Sequence, residues 1–238
     1  MTPDTAILLA AGRGQRMGAL TEGLPKPLIE VAGKALIDHG LDRLAAAGIR
    51  RVVVNLSYRG DAIAAHLAGR RGVEIEFSRE PTALETGGGI KKALPLLGEV
   101  FFALNADIVW LDGKDAALAR LASAFDPGAC DALLLMQPTA LATGYDGPGD
   151  FLLDPLGKPR RRGEREIAPY VFAGVEILHR RLFDNSPDGA FSINLLWDRA
   201  IAQNRLKGLV HDGDWFHVGT PAGLEAAGAG LSFRRLPR

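Results

Sequence analysis

Two hydrophobic patterns alternate along the first half of the chain, and they predict different elements. Ala6-Ile7-Leu8-Leu9 is an unbroken apolar run ended by glycine, and Val52-Val53-Val54 is a second; both read as strands buried on two faces. Across 36–48 the large apolar residues Ile37, Leu41 and Leu44 fall at i, i+4 and i+7, the stripe of an amphipathic helix. A second helix is expected over 58–67, and Val73-Glu74-Ile75-Glu76-Phe77 alternates as a strand. A glycine-rich turn and helix follow over 87–97, then a strand over 100–104, a helix over 116–125 and a strand over 132–136.

Such alternation over the first 137 residues predicts an α/β fold, with a doubly wound, mostly parallel, Rossmann-like sheet and helices on both faces. Beyond Pro138 the pattern changes to short strands, loops rich in Gly and Pro, one long helix over 193–202 and a final helix over 224–229. We therefore read residues 1–238 as one domain, with a core over 1–137 and a smaller C-terminal lobe over 138–238 on the same sheet.

Charge and cysteine usage narrow the chemistry. With 28 basic and 28 acidic side chains the formal net charge is zero, which argues against nucleic acid and anionic membrane as partners. Cys130 is the only cysteine, so an intrachain disulfide and a cysteine-based zinc site are both excluded. The start Met1-Thr2-Pro3-Asp4 lacks the basic residues of a secretory signal, and no apolar stretch approaches membrane-spanning length. A cytoplasmic protein is expected, as a monomer or a homodimer.

Directly after the first strand comes Ala10-Ala11-Gly12-Arg13-Gly14-Gln15-Arg16-Met17, and then Leu24-Pro25-Lys26-Pro27-Leu28. A loop at the carboxyl end of the first strand lies where open α/β sheets bind ligands. Glycines there let backbone N–H groups approach phosphate oxygens, and Arg13, Arg16 and Lys26 supply positive charge. Two prolines restrict the backbone around Lys26 and aim its ammonium group at a fixed point. Other phosphate loops fail on spacing: a dinucleotide fingerprint needs glycine at position 17, and a Walker A loop needs Gly-Lys-Ser/Thr.

The segments Leu9 to Met17 and Pro25-Lys26-Pro27-Leu28 resemble the signature of the sugar-1-phosphate nucleotidyltransferases. The likeness covers nearly the whole chain and is greatest to the branch that uses UTP and N-acetylmuramate 1-phosphate in cell-wall recycling. It implies joining of a nucleoside triphosphate to a sugar 1-phosphate with release of pyrophosphate. Sister thymidylyl- or guanylyltransferases, and a non-catalytic domain that binds a nucleotide-sugar, stay open as alternatives.

The same resemblance distributes roles. Ala10, Ala11, Gly12, Arg13 and Gly14 would hold the nucleotide; Arg16 would bind the β- and γ-phosphates; Lys26 would bridge the α-phosphate and the sugar phosphate. Glu80, Glu85, Thr86, Gly87 and Gly88 resemble the segment that cups the base, with the glycines baring backbone to a flat ring. Glu80 offers acceptors to uracil, thymine or guanine, whose ring N–H adenine and cytosine lack at the equivalent nitrogen. Gly149, Asp150, Phe172, Gly174 and Asn194 would line the sugar pocket. The run Lys158, Arg160, Arg161, Arg162 and Arg165 reads either as an anion-attracting patch or as a solvated hairpin.

Asp107 ends the strand Phe101-Phe102-Ala103-Leu104, at a sheet edge where hard oxygen ligands hold Mg²⁺. Related enzymes carry a second metal aspartate where this chain reads Trp215-Phe216-His217-Val218-Gly219-Thr220, so His217 stands in the carboxylate's place. His217 either ligates the ion, which would favour Mn²⁺ or Co²⁺ over Mg²⁺, or leaves Asp107 as the only protein ligand.

Overall fold

The computed structural model describes residues 3–234. Its first half contains β1 (Thr5–Leu9), β2 (Glu30–Val31), β3 (Lys34–Ala35), α1 (Leu36–Ala46), β4 (Arg51–Leu56), α2 (Gly60–Leu67) and β5 (Glu74–Arg79). Then come α3 (Glu85–Ala93), β6 (Val100–Asn105), β7 (Ile108–Trp110), α4 (Ala117–Ala124) and β8 (Ala132–Pro138). The remainder holds β9 (Ala142–Thr143), β10 (Phe151–Leu153), β11 (Pro159–Arg161), β12 (Tyr170–His179), α5 (Asn194–Ala202), β13 (Leu206–Val210), β14 (Trp215–His217) and α6 (Pro221–Arg234).

The main sheet runs β11-β10-β12-β6-β1-β4-β5, with β8 and then β13 attached beside β12. Pairing is parallel from β6 through β1 and β4 to β5, and again between β8 and β13. It is antiparallel wherever β12 takes part, against β6, β8 and β10. Ile7 and Val53 face one side of this sheet, packed with Ile90 of α3 and Leu196 and Trp197 of α5. Leu8, Val52 and Val54 face the other, packed with Ile37, Leu41 and Leu44 of α1 and Ile63 of α2. Burial on both faces is why these strands are unbroken apolar runs; each such side chain contributes about 1.5–3 kcal/mol.

The residues after 138 join the sheet that the residues before it begin. β12 lies between β6 and β8, so the C-terminal part threads back into the middle of the sheet. With ten residues β12 is also longer than the short strands expected there. Gly174 and Glu176 interrupt its apolar run and hide it from a periodicity reading; the register shifts between Phe172 and Glu176, with Gly174 at φ +76°. One half of β12 pairs with β6, and its first residue pairs with β10. That switch carries the β10–β11 hairpin past the carboxyl end of β6.

A third, smaller core fixes the phosphate loop. Met17, at the position where a dinucleotide fingerprint needs glycine, is buried with Ile29, Val31, Phe216, Val218, Ala227 and Leu231. α6 is longer than the 224–229 expected, because Pro221 suits a first helical turn and Gly223 and Gly230 allow close packing. A Cβ on Gly230 would come 2.5 Å from the Phe216 ring.

Glu176 is 2% exposed, and among the described residues its side chain has one hydrogen-bond partner, the indole Nε1 of Trp197, which donates to Oε2 at 3.0 Å. Burial pushes its carboxyl up to about 8, an effect that the indole hydrogen bond partly offsets. The folded state thus binds this proton more tightly than the unfolded chain does. Its stabilisation is fully present below the unfolded pKa, about 4.3, and is lost as pH rises through about 8. Glu176→Gln should flatten that fall in Tm between pH 5 and 8.5, in thermal melts on both proteins; parallel pH profiles would show that Glu176 does not titrate there.

Candidate active site

A cavity of about 520 Å³ opens at the carboxyl edge of β1, β4 and β6, within the range of small-molecule sites. Its wall contains the loop from Leu9 to Arg16, together with Lys26, Asn55, Glu80, Glu85, Thr86, Asn105, Asp107 and Gly219. Each strand body is apolar and each strand end is polar. The sheet therefore presents its chemistry along one edge.

At one end Lys26 faces Asp107. Lys26 starts a 3-10 turn (Lys26–Leu28) after Pro25, and its Nζ donates to Asp107 Oδ2 at 2.6 Å. Lys26 is only 6% exposed, and its partner lies 81 positions away. Gly14 is what lets it lie there. Its φ is +65°, and a Cβ on it would sit 2.7 Å from Cβ and 3.0 Å from Cδ of Lys26. Asp107 is anchored through its main chain: the Val218 N–H donates to its carbonyl at 3.2 Å, and the neighbouring Ala106 N–H to Leu9 O at 3.1 Å. Arg13 and Arg16 are exposed on the loop, Arg13 with its guanidinium 5.5 Å from the centre of the Tyr58 ring. Neither arginine pairs with a carboxylate among the described residues.

At the other end a buried hydrogen-bond chain ties three strand ends together. The Ala10 N–H donates to Asn55 Oδ1 at 2.7 Å, Asn55 Nδ2 donates to Glu80 Oε1 at 2.8 Å, and the Leu84 N–H donates to Glu80 Oε2 at 3.0 Å. Both oxygens of Glu80 are therefore engaged, each with a lone pair to spare. Gly89 must lack a side chain here, since its Cβ would fall 2.8 Å from Glu80 Oε1. Gly87 and Gly88 do not bare backbone to a flat ring as expected. They are buried in α3, where a Cβ would meet the Phe191 ring at 2.4 Å and Gly189 O at 2.2 Å, so their smallness serves the 189–191 loop. Glu85 and Thr86 do line the cavity. Glu85 holds a left-handed φ of +57°, a strained conformation for a residue with a side chain.

None of the five positions expected to contact the sugar lines the cavity itself; they flank it beyond the carboxyl end of β6. Gly149 takes φ +77°, with Ala168 O only 2.3 Å from where its Cβ would be. Asp150 Oδ2 accepts from the Phe172 N–H at 3.0 Å, and Phe172 meets Trp197 edge-on at 4.8 Å. Gly174 packs against Asn105, and Asn194 opens α5.

His217 sits behind the wall. Its ring stacks on Trp215 at 5.8 Å and meets Tyr145 edge-on at 6.0 Å. A Cβ on Gly219, which lines the cavity, would be 2.4 Å from its Cε1 and 2.6 Å from its Nε2. Burial first, and the charges of Lys26 and Arg16 after it, lower its pKa; Asp107 and the Gly144 carbonyl work the other way. No three His, Cys, Asp or Glu side chains gather into a metal cage among the described residues. The donors available are one carboxylate on the cavity wall, about one-third exposed, and the His217 imidazole behind it, whose pKa burial lowers. So few protein donors fit a divalent ion held mostly by phosphate and water, and the imidazole among them favours Mn²⁺ or Co²⁺ over Mg²⁺. Asn55 and Asn105 escaped the sequence reading. Their signal was available: each is the amide that closes a buried apolar strand at the edge where the loop begins.

The MobA-like NTP transferase domain family matches residues 6–174. Over 236 residues, 97% of this chain and 98% of the relative, the protein is 45% identical to N-acetylmuramate alpha-1-phosphate uridylyltransferase of Caulobacter vibrioides. The enzyme of the same name from Neisseria meningitidis is 36% identical over 94% of this chain and 96% of its own length. Among solved structures, a putative glucose-1-phosphate thymidylyltransferase from Bacillus anthracis superposes with a TM-score of 0.81, at 16% identity over 98% of this chain and 97% of that one. With its fold shared and its phosphate loop, Lys26 and Asp107 converging on one cavity, the chain belongs to the MobA-like NTP transferase family and is a nucleotidyltransferase.

Proposed function

We propose that the protein transfers the uridylyl group of UTP to N-acetylmuramate 1-phosphate, giving the UDP-sugar and pyrophosphate. The observation that carries this reading is the Lys26–Asp107 pair, set where the arginine-bearing loop meets the end of β6. The naming of two full-length relatives as uridylyltransferases for that sugar supports the choice of substrates. Such a reaction would serve the recovery of cell-wall sugars in the cytoplasm.

In this mechanism an oxygen of the sugar phosphate attacks the α-phosphorus of UTP, the bond to the β-phosphate breaks, and pyrophosphate leaves. The attacking group is already ionised at neutral pH, so alignment and charge neutralisation dominate over proton transfer. Lys26 has two N–H bonds beyond the one spent on Asp107, and these reach the α-phosphate and the sugar phosphate. Arg16 steadies the β- and γ-phosphates, which become the leaving group. A divalent ion, when bound, supplies charge neutralisation at the α-phosphate, and Asp107 with His217 would hold it. At the base end, the spare lone pairs of Glu80 accept the uracil ring N–H.

Release of pyrophosphate from UTP, Mg²⁺ and a panel of sugar 1-phosphates tests the proposal. N-acetylmuramate 1-phosphate should give the highest kcat/KM, and CTP, which lacks the ring N–H, should be used at least about 100-fold less well than UTP. A preference for glucose or mannose 1-phosphate, or equal use of UTP and CTP, would contradict it. For the metal, wild type should work better with Mn²⁺ or Co²⁺ than with Mg²⁺, and His217→Ala should erase that advantage. Unchanged metal preference in the variant would leave Asp107 as the only protein ligand.

A further inference from the structure

Three arginines in the basic run after residue 158 have separate fates. Both terminal nitrogens of Arg160 are spent on Glu166, at 2.8 and 2.7 Å. Arg162 serves the backbone, donating to Gly149 O at 3.0 Å and Gly163 O at 3.1 Å. Arg161 instead reaches from β11 to α5. Its Nε donates to Asp198 Oδ1 at 2.7 Å and its Nη2 to Asn194 Oδ1 at 3.0 Å. The guanidinium lies 4.6 Å from the centre of the Phe151 ring and 5.5 Å from that of Trp197. Stacked below and bonded along one side, it is rigid, about one-third exposed, and leaves Nη1 without a partner among the described residues.

Its bond to Asn194 has a second consequence. A guanidinium can only donate, so the amide must turn its oxygen to Arg161 and its Nδ2 hydrogens away. Arg161 Nη1 and Asn194 Nδ2 are then donors with hydrogens left to give, on two side chains bonded to each other. They lie outside the cavity's own lining and are joined to it through the 189–194 loop. Thr86 lines that cavity, the N–H of Gly88 two residues on donates to Phe191 O at 3.1 Å, and Asn194 follows three residues after Phe191.

We propose that Arg161 and Asn194 recognise a carboxylate carried on the sugar, which makes Arg161 a specificity residue for an acidic sugar 1-phosphate. This rests on the muramic acid assignment above, whose lactyl ether supplies such a carboxylate where N-acetylglucosamine has a hydroxyl. Asp198 competes for the same cation; its side chain is more than half exposed, so it can yield to solvent when substrate arrives.

The test measures kcat and KM at saturating UTP for N-acetylmuramate 1-phosphate and N-acetylglucosamine 1-phosphate, using the full chain, Arg161→Met and Asp198→Asn. Arg161→Met should raise KM for the acidic sugar about 10- to 100-fold while moving that for the neutral sugar less than about 2-fold. Asp198→Asn, which frees the cation, should lower KM for the acidic sugar only. Equal rises for both sugars in Arg161→Met would show that Arg161 merely ties β11 to α5. If Arg161→Met does not fold, Asp198→Asn still decides, because an unchanged ratio between the sugars overturns the proposal. Wild type that prefers the neutral sugar would instead defeat the substrate assignment, and this proposal with it.

Discussion

Burying an ammonium group costs several kcal/mol unless a partner of opposite charge meets it with good geometry. Lys26 meets that condition through one carboxylate, Asp107, and much of the molecule is arranged so that the two coincide. Prolines on both sides set the backbone of Lys26. Gly14 leaves room for its methylenes. β6 delivers Asp107 to the sheet edge beside β1, and Val218, at the end of β14, holds its carbonyl. Met17 and α6 clamp the loop between them from below. The pair joins the phosphate loop to the sheet, and it leaves a lysine oriented with N–H bonds to spare.

The same design recurs at the other end of the cavity, where neutral amides hold a buried carboxylate. Asn55 bridges the end of β1 to Glu80, and Glu80 holds the loop that opens α3. Buried polar groups in such a chain are satisfied, so each fixes the position of the next. The cost of this order is local. Glu85 sits in a left-handed conformation on the rim, and Gly87 to Gly89 surrender side chains so that Phe191, Gly189 and Glu80 can approach.

What could be read from the sequence follows from the range of the interactions. That the loop after β1, Lys26 and Asp107 gather at one edge was legible because spacing within about 20 residues and the rule about sheet edges define them. The parallel core was legible because its strands are apolar on both faces. Burial of Lys26 was not, since its partner is distant in sequence. Nor was the packing role of Gly87 and Gly88, which depends on residues 189–191, or the place of β12, whose apolar run is broken by Gly174 and Glu176. Arg161 looked like any member of a charged hairpin until Phe151 and Trp197 were found beneath it.

The central claim is that Lys26 and Asp107 act as one unit, and a double-mutant cycle tests it most directly. Lys26→Gln, Asp107→Asn and the combined variant would be compared for unfolding free energy and for kcat. Each single change should lower kcat by at least about 100-fold, with the double variant no worse than the poorer single. In stability the two changes should couple by about 1 kcal/mol, a value kept modest because Asp107 is partly exposed. Additive stability losses together with multiplying losses in kcat would mean that the two residues work independently, and would contradict the account.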